Sequence, residues 1–363
     1  MPALSFRTLR AGLTAIWRKA ARATWTLLTI AVPVALATRL LDQLGLIKPL
    51  AVLLKPFMVL LGLPGEAAVV WIMSMGTSIY GGLAAFGTLA PRMGLTAEQA
   101  TILATAILVA HSLPVEAGVA RKAGVRLGFT LAWRILGGFL AAWSLSVIYR
   151  LLPAPLTVQG IAGDGGGDPA SGLKIAWDGL LSPVLGDNVA ALWHGWPLWL
   201  WEQLLFAVEI FAVIFALMIF MKLLELTGIL RFIRQLLGHL LRWVGIGPDA
   251  APLTLIGMIL GITYGGGLII EEARTGHLKE RDVFLSLGLL GLGHGIIEDS
   301  ILMLQFMGAH WSGTLLWRVV FTFAAMIVLA RWLRQLSDPW FHKLCFHGRR
   351  ESPKISTSKS ERS

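Results

Sequence analysis

Gly62-Leu63-Pro64-Gly65-Glu66-Ala67-Ala68 returns 183 residues later as Gly245-Ile246-Gly247-Pro248-Asp249-Ala250-Ala251. His111, with Glu116 five residues on, returns at the same distance as His294 with Asp299. After one residue of slippage, Leu131-Ala132-Trp133-Arg134 with Phe139 and Ala141 returns as Leu315-Leu316-Trp317-Arg318 with Phe323 and Ala325. Tyr80-Gly81-Gly82 and Tyr264-Gly265-Gly266 match in that slipped register. Four landmarks at a nearly constant offset make the chain a duplicated unit. In membrane proteins built this way, function concentrates where the units meet.

Composition sets the solvent. The chain is 56% hydrophobic and only 14% charged, with a mean hydropathy of +0.71. Soluble domains carry roughly a quarter of their residues as charges. Several apolar runs reach the ~20 residues that cross a bilayer, so a polytopic membrane protein is expected. Five of the 15 tryptophans lie between Trp177 and Trp201, which suits the headgroup interface. The net charge of +10 falls in loops and tails that would face anionic lipid. No stacking-rich basic module accompanies it, so nucleic acid is not an expected partner. The single cysteine, Cys345, excludes an intrachain disulfide and any cysteine-built metal site. Arg18, Lys19 and Arg22 precede an apolar run in the manner of a signal peptide, but apolar character resumes past Arg39, which favours an uncleaved first helix.

The expected architecture is all-α, with two membrane repeats. Residues 1–23 read as a basic amphipathic surface helix, 24–150 as the first repeat, 151–192 as an acidic Gly/Pro-rich external linker, 193–335 as the second repeat, and 336–363 as a basic, largely disordered cytoplasmic tail. Spanning candidates are 24–45, 66–89, 96–119 and 127–149, then 196–228, 249–270, 282–307 and 313–333, with shorter pieces at 49–62 and 229–244. The basic arm, the Arg121-Lys122 loop and the basic tail should be cytoplasmic, and the acidic linker outside. Each repeat then crosses an odd number of times, and the two are inverted. Four spanning-length segments per repeat leave one pair that must enter and return, and the glycine-interrupted segments are the natural choice. Non-helical backbone at that depth must be buried in protein or line a wet cavity.

Two constellations carry chemistry. The glycine tracts, Thr77, Ser78, Tyr80, Gly81 and Gly82 in the first repeat and Thr263, Tyr264, Gly265 and Gly266 in the second, can loosen a helix and free backbone groups for a ligand. Taken singly, such glycines serve close helix packing; matched breaks in both repeats favour the ligand. The second constellation is His111 with Glu116, and His294 with Glu298 and Asp299. His294 and Glu298 share a face if that turn is helical. Ionisable groups inside a membrane are costly and face a cavity or one another. These can bind a divalent cation, carry protons or hydrogen-bond a solute. Whether they bind metal is left open, because one histidine and one carboxylate per repeat is a thin ligand set. Glu66 and Asp249 look like ordinary helix starts. Arg134 and Arg318 recur in the closing helices, where snorkelling to an interface is the plain expectation and pairing with Glu116 or Asp299 the sharper one. No phosphate loop, His-Glu-x-x-His or Gly-x-Ser-x-Gly occurs, so no enzyme and no cofactor is expected.

The paired Gly-x-Pro/Gly-acid-Ala-Ala turns and glycine-rich breaks resemble the Gate, or nucleoside-recognition, domain of concentrative nucleoside transporters, ferrous iron permeases and spore maturation proteins. The resemblance covers most of 50–150 and 235–335. It implies an inverted-repeat membrane fold with re-entrant hairpins. The GTPase module and membrane cysteines of the iron permeases are not in this sequence, nor is the full nucleoside-binding pattern. The expectation is therefore a multi-pass inner-membrane secondary transporter or permease with cytoplasmic termini. It would move a small polar solute or cation, with protons available for coupling. A non-transporting membrane scaffold or assembly partner is the alternative, and homo-oligomerisation is open.

Overall fold

A computed structural model describes residues 6–152 and 196–347. Among them there is no β-strand; an isolated bridge joins Val125 and Phe346. The first repeat consists of α1 (Phe6–Gln43), α2 (Ile47–Leu61), α3 (Ala67–Gly76), α4 (Ile79–Met93), α5 (Ala97–Val109), α6 (Leu113–Lys122) and α7 (Leu127–Leu151). The second repeats that order as α8 (Trp196–Leu226), α9 (Ile229–Val244), α10 (Ala251–Leu260), α11 (Ile262–Thr275), α12 (Glu280–Leu292) and α13 (Glu298–Met307), then a π-helical turn (Ser312–Trp317) that runs into α14 (Arg318–Gln335). A short α15 (Asp338–Leu344) follows. Five helical stretches among the described residues are long and apolar enough to cross a membrane. The protein is an all-α polytopic membrane protein with broken helices.

The opening motif explains its own recurrence. Gly62 and Gly245 end α2 and α9 in the left-handed conformation, at φ +75° and +86°. Their amides and those of Leu63 and Ile246 close back onto the last turn of each helix, the paired bonds of a Schellman stop. A side chain at either glycine would also meet a guanidinium, Arg150 Nη2 or Arg334 Nη2, each 3.1 Å from the Cβ position. Conformation and space both demand glycine, in both repeats.

The repeats interlock. α6 packs on α11, and its counterpart α13 packs on α4. α7 packs on α12, and the π-helical turn packs on α5. α1 and α8 pack on each other, with Trp17 edge-on to Phe211 at 4.6 Å. Contacts that come in such reciprocal pairs are those of a two-fold axis. The cores follow the same rule. Leu302, Met303 and Phe306 of α13 are buried in the first repeat's core. Ala120, Ala123 and Val125, at the end of α6, are buried in the second's. Each repeat completes the other.

Three expectations are corrected. No break falls at residue 23: α1 runs unbroken from Phe6 to Gln43, because the basic arm has good helix formers and nothing there to stop a helix. The tail is folded as far as residue 347. Phe341 and Phe346 stack at 5.6 Å, Phe341 meets Phe284, and Arg281 binds the carbonyls of Leu333 and Leu336 and the Asp338 carboxylate. Gly124, at φ +102°, leaves room for the Phe346 ring, and His347 N–H donates to its carbonyl at 2.7 Å. Cys345 is buried within this clasp, and burial pushes its thiol up to about 11. The third correction concerns where within the glycine tracts the helices break. The breaks fall at their leading edges, at Thr77-Ser78 and at Gly261. Gly81, Gly82, Gly265 and Gly266 lie inside α4 and α11. Their missing side chains let neighbours approach closely: a Cβ on Gly265 would sit 2.2 Å from the Cα of Gly257, and one on Gly82 would sit 2.6 Å from the Cβ of Ser74. Close packing explains these four glycines. The linker expected at 151–192 lies outside the described residues from 153 onward.

Candidate functional site

Two helix breaks build the site, and they are copies. α5 ends at Ala110, with φ −135° and ψ 78°; α12 ends at the equivalent Gly293, with φ −145° and ψ 66°. Two residues on, Ser112 and Gly295 both turn left-handed, at φ +49° and +55°. Ser112 is the one non-glycine residue with positive φ among those described, a conformation that costs an L-residue roughly 1–2 kcal/mol. Each break hangs from the preceding hairpin, Ser112 N–H on Ser74 O at 2.9 Å and Ile296 N–H on Met258 O at 3.1 Å. Pro114, two residues past Ser112, sits in the first turn of α6, where a proline lacks nothing.

Between Ala110 and Ser112, and between Gly293 and Gly295, stands a histidine. His111 Nδ1 faces Ile107 O at 2.9 Å, and His294 Nδ1 faces Leu290 O at 2.7 Å. A carbonyl only accepts, so each Nδ1 carries the proton. The two rings meet across the repeat boundary, Nε2 to Nε2 at 3.3 Å. Glu116 Oε1 lies 3.6 Å from His111 Nε2 and 3.5 Å from His294 Nε2, while its other oxygen is in contact with Arg134 Nη1. Arg134 also donates from Nε and Nη2 to Val109 O, both at 3.2 Å. In the second repeat Arg318 Nη2 donates to His294 O at 2.5 Å and lies 4.0 Å from Asp299 Oδ2. His111, Glu116, Arg134, His294 and Arg318 are all buried, and Asp299 is partly exposed. Two guanidiniums thus balance two carboxylates at the junction of the repeats. His111, His294 and Asp299 offer ligand atoms within 4.8 Å of one another.

The sequence-nominated residues divide. His111, Glu116, His294 and Asp299 come together. Glu298 does not share a helical face with His294, because the chain bends from Gly293 to Ile297 and α13 begins only at Glu298. Thr77 Oγ1 donates to Met73 O at 2.5 Å, and Ser78 Oγ accepts from Gly81 N–H as the N-cap of α4. Both are absorbed by helix ends. Tyr80 is buried in the first repeat's core. Gly81, Gly82, Gly265 and Gly266 serve packing, and the side chains of Thr263 and Tyr264 lie outside the described set. Arg134 and Arg318 do not snorkel. They head the fully buried large side chains and supply the countercharges. Their recurrence at matched positions was the signal; a lipid-facing anchor would not need to recur at the depth of the histidines.

The comparisons with known proteins agree with this duplication. The family model Gate, described as nucleoside recognition, matches residues 24–126 and again 207–310, more than half the chain. The two matches start 183 residues apart, as the histidines do. An uncharacterized membrane protein of Bacillus subtilis, YvoD, is 26% identical over 307 residues, covering 85% of this chain and 89% of its own length. No solved structure matches.

Proposed function

This chain belongs to the Gate family, and on that premise we propose that it is a secondary transporter or permease of the cytoplasmic membrane, passing a small polar solute or ion between two inverted repeats. The observation that carries this is the pair of broken helices that bring His111 and His294, one from each repeat, to 3.3 Å. Buried charge inside a membrane protein is expensive and is kept where a pathway needs it. The inverted orientation rests on the basic arm and loops and the acidic linker, and the reciprocal packing suits it. In alternating access, one repeat rocks against the other about the shared site. The reciprocal exchange of α6 and α13 gives that motion its bearing surfaces. The termini face the cytoplasm, and no covalent chemistry is assigned.

Water access tests this against the scaffold alternative. In a Cys345→Ala background, cysteine is placed at Gly76 and at Gly267, where a side chain meets nothing within 4 Å. Reaction with a membrane-impermeant maleimide, in vesicles, is expected at both positions. Labelling by lipid-soluble reagents only would mark a dry scaffold. Uptake into proteoliposomes is then expected to fall at least tenfold in His294→Ala, and wild-type flux in that variant would remove the histidine from the pathway.

A further inference from the structure

We propose that His111, His294 and Glu116 form a binding site for a first-row divalent transition-metal ion, Zn²⁺ by geometry, with Asp299 as the fourth ligand. The starting point is the direction of the ring protons. Ile107 O and Leu290 O fix the proton of each imidazole on Nδ1. Both Nε2 atoms therefore present lone pairs, and they present them to each other at 3.3 Å. Glu116 adds a third acceptor, Oε1, at 3.5 and 3.6 Å from them. With neither a proton nor a cation between them, three facing acceptors repel.

The spacing says what. Ligand atoms about 2.0–2.2 Å from a tetrahedral ion stand roughly 3.3–3.6 Å apart. The three measured separations, 3.3, 3.5 and 3.6 Å, are one face of that tetrahedron. Asp299 has a ligand atom within 4.8 Å of both histidines and is the partly exposed member of the group, so it is the carboxylate within reach to complete the set. The supporting groups fit as well. Metal-bound histidines donate their other ring N–H to a carbonyl or carboxylate, as both do here. Arg134 occupies Glu116 Oε2, which orients Oε1 toward the imidazoles. Two nitrogens and carboxylate oxygens suit Zn²⁺ and its neighbours better than Mg²⁺ or Ca²⁺.

The site stands independently of transport: binding is measured on solubilised protein and flux in vesicles, so one can fail without the other. The full chain, purified in detergent and freed of metal by chelation, is titrated with Co²⁺ and read by visible absorption. One equivalent is expected, with the intense bands of four-coordinate cobalt, displaced by Zn²⁺. His111→Ala and His294→Ala should abolish the bands, Glu116→Gln should weaken binding ten- to a hundredfold, and His310→Ala, outside the site, should change nothing. Size-exclusion profiles check folding, and His111→Gln and His294→Gln serve if the alanines fail it. X-ray absorption of Zn²⁺-loaded wild type needs no variant and should show two imidazoles at about 2.0 Å. Absence of stoichiometric Co²⁺ binding would overturn the proposal and leave the histidines sharing a proton. Bands that persist in both histidine variants, or a spectrum without imidazole, would overturn it equally.

Discussion

The first repeat's half of the site is shut and the second's is ajar. Glu116 touches Arg134, which also has a carbonyl for its remaining reach. Asp299 stops 4.0 Å short of Arg318, and Arg318 Nε and Nη1 have no hydrogen-bond partner. Both halves use one histidine, one acid and one arginine, at matched positions on copied breaks. The halves differ by one methylene in the acid and by the extra residue and π-helical turn that precede Arg318. The duplicated unit has thus kept its parts while pairing them differently: Glu116 contacts Arg134, and Asp299 stands 4.0 Å from Arg318.

The largest effect should come from breaking the shut half. Glu116→Ala leaves Arg134 buried and uncompensated, a change that costs about 3–5 kcal/mol. Asp299→Ala removes a longer contact but also leaves a fully buried arginine without its acid, and should cost less, about 1–3 kcal/mol. Thermal unfolding in detergent of the two variants side by side gives the comparison; equal losses would mean that the halves are energetically alike. A smaller effect should come from shutting the open half. Asp299→Glu extends the acid toward Arg318's unpartnered donors, and a charged hydrogen bond gained there is worth about 1.5–3 kcal/mol before the entropy of ordering the longer side chain. The same assay should show a rise in midpoint together with reduced flux. A rise without loss of flux would deny that the gap between Asp299 and Arg318 matters. The smallest effect tests the backbone copy. Ser112→Gly relieves a left-handed serine but adds unfolded-state freedom, for a net gain of roughly 0.5 kcal/mol. Destabilisation instead would show that the two breaks are not equivalent.

Much of this was readable in the residues because duplication exposes it. The recurrence of His111 as His294 placed both histidines at equivalent points, and equivalent points near a two-fold axis meet. Pro114 and the glycines about His294 marked the breaks. The arginines were harder. Trp-Arg in an apolar helix looks the same whether the guanidinium climbs to the interface or turns inward, since depth is set by packing and not by the helix's own pattern. Which tract residues would break and which would stay helical was hidden for a related reason: Gly265 opposes Gly257 only once α10 and α11 fold together, and no local pattern announces that approach. The clasp around Cys345 depends on Phe341 and Phe346 finding Phe284 and Gly124, a meeting of distant segments that a basic tail conceals.

The central claim is that the repeats interlock reciprocally, so that the histidines face each other. A Cβ at Gly266 would lie 3.9 Å from that of Val119, within the span of a disulfide. In a Cys345→Ala background with a protease site in the 153–195 segment, Val119→Cys with Gly266→Cys should oxidise readily. The two halves should then stay joined on a non-reducing gel after cleavage and separate on reduction. Halves that separate without reductant, with both thiols still free, would contradict the interlock and everything built on it.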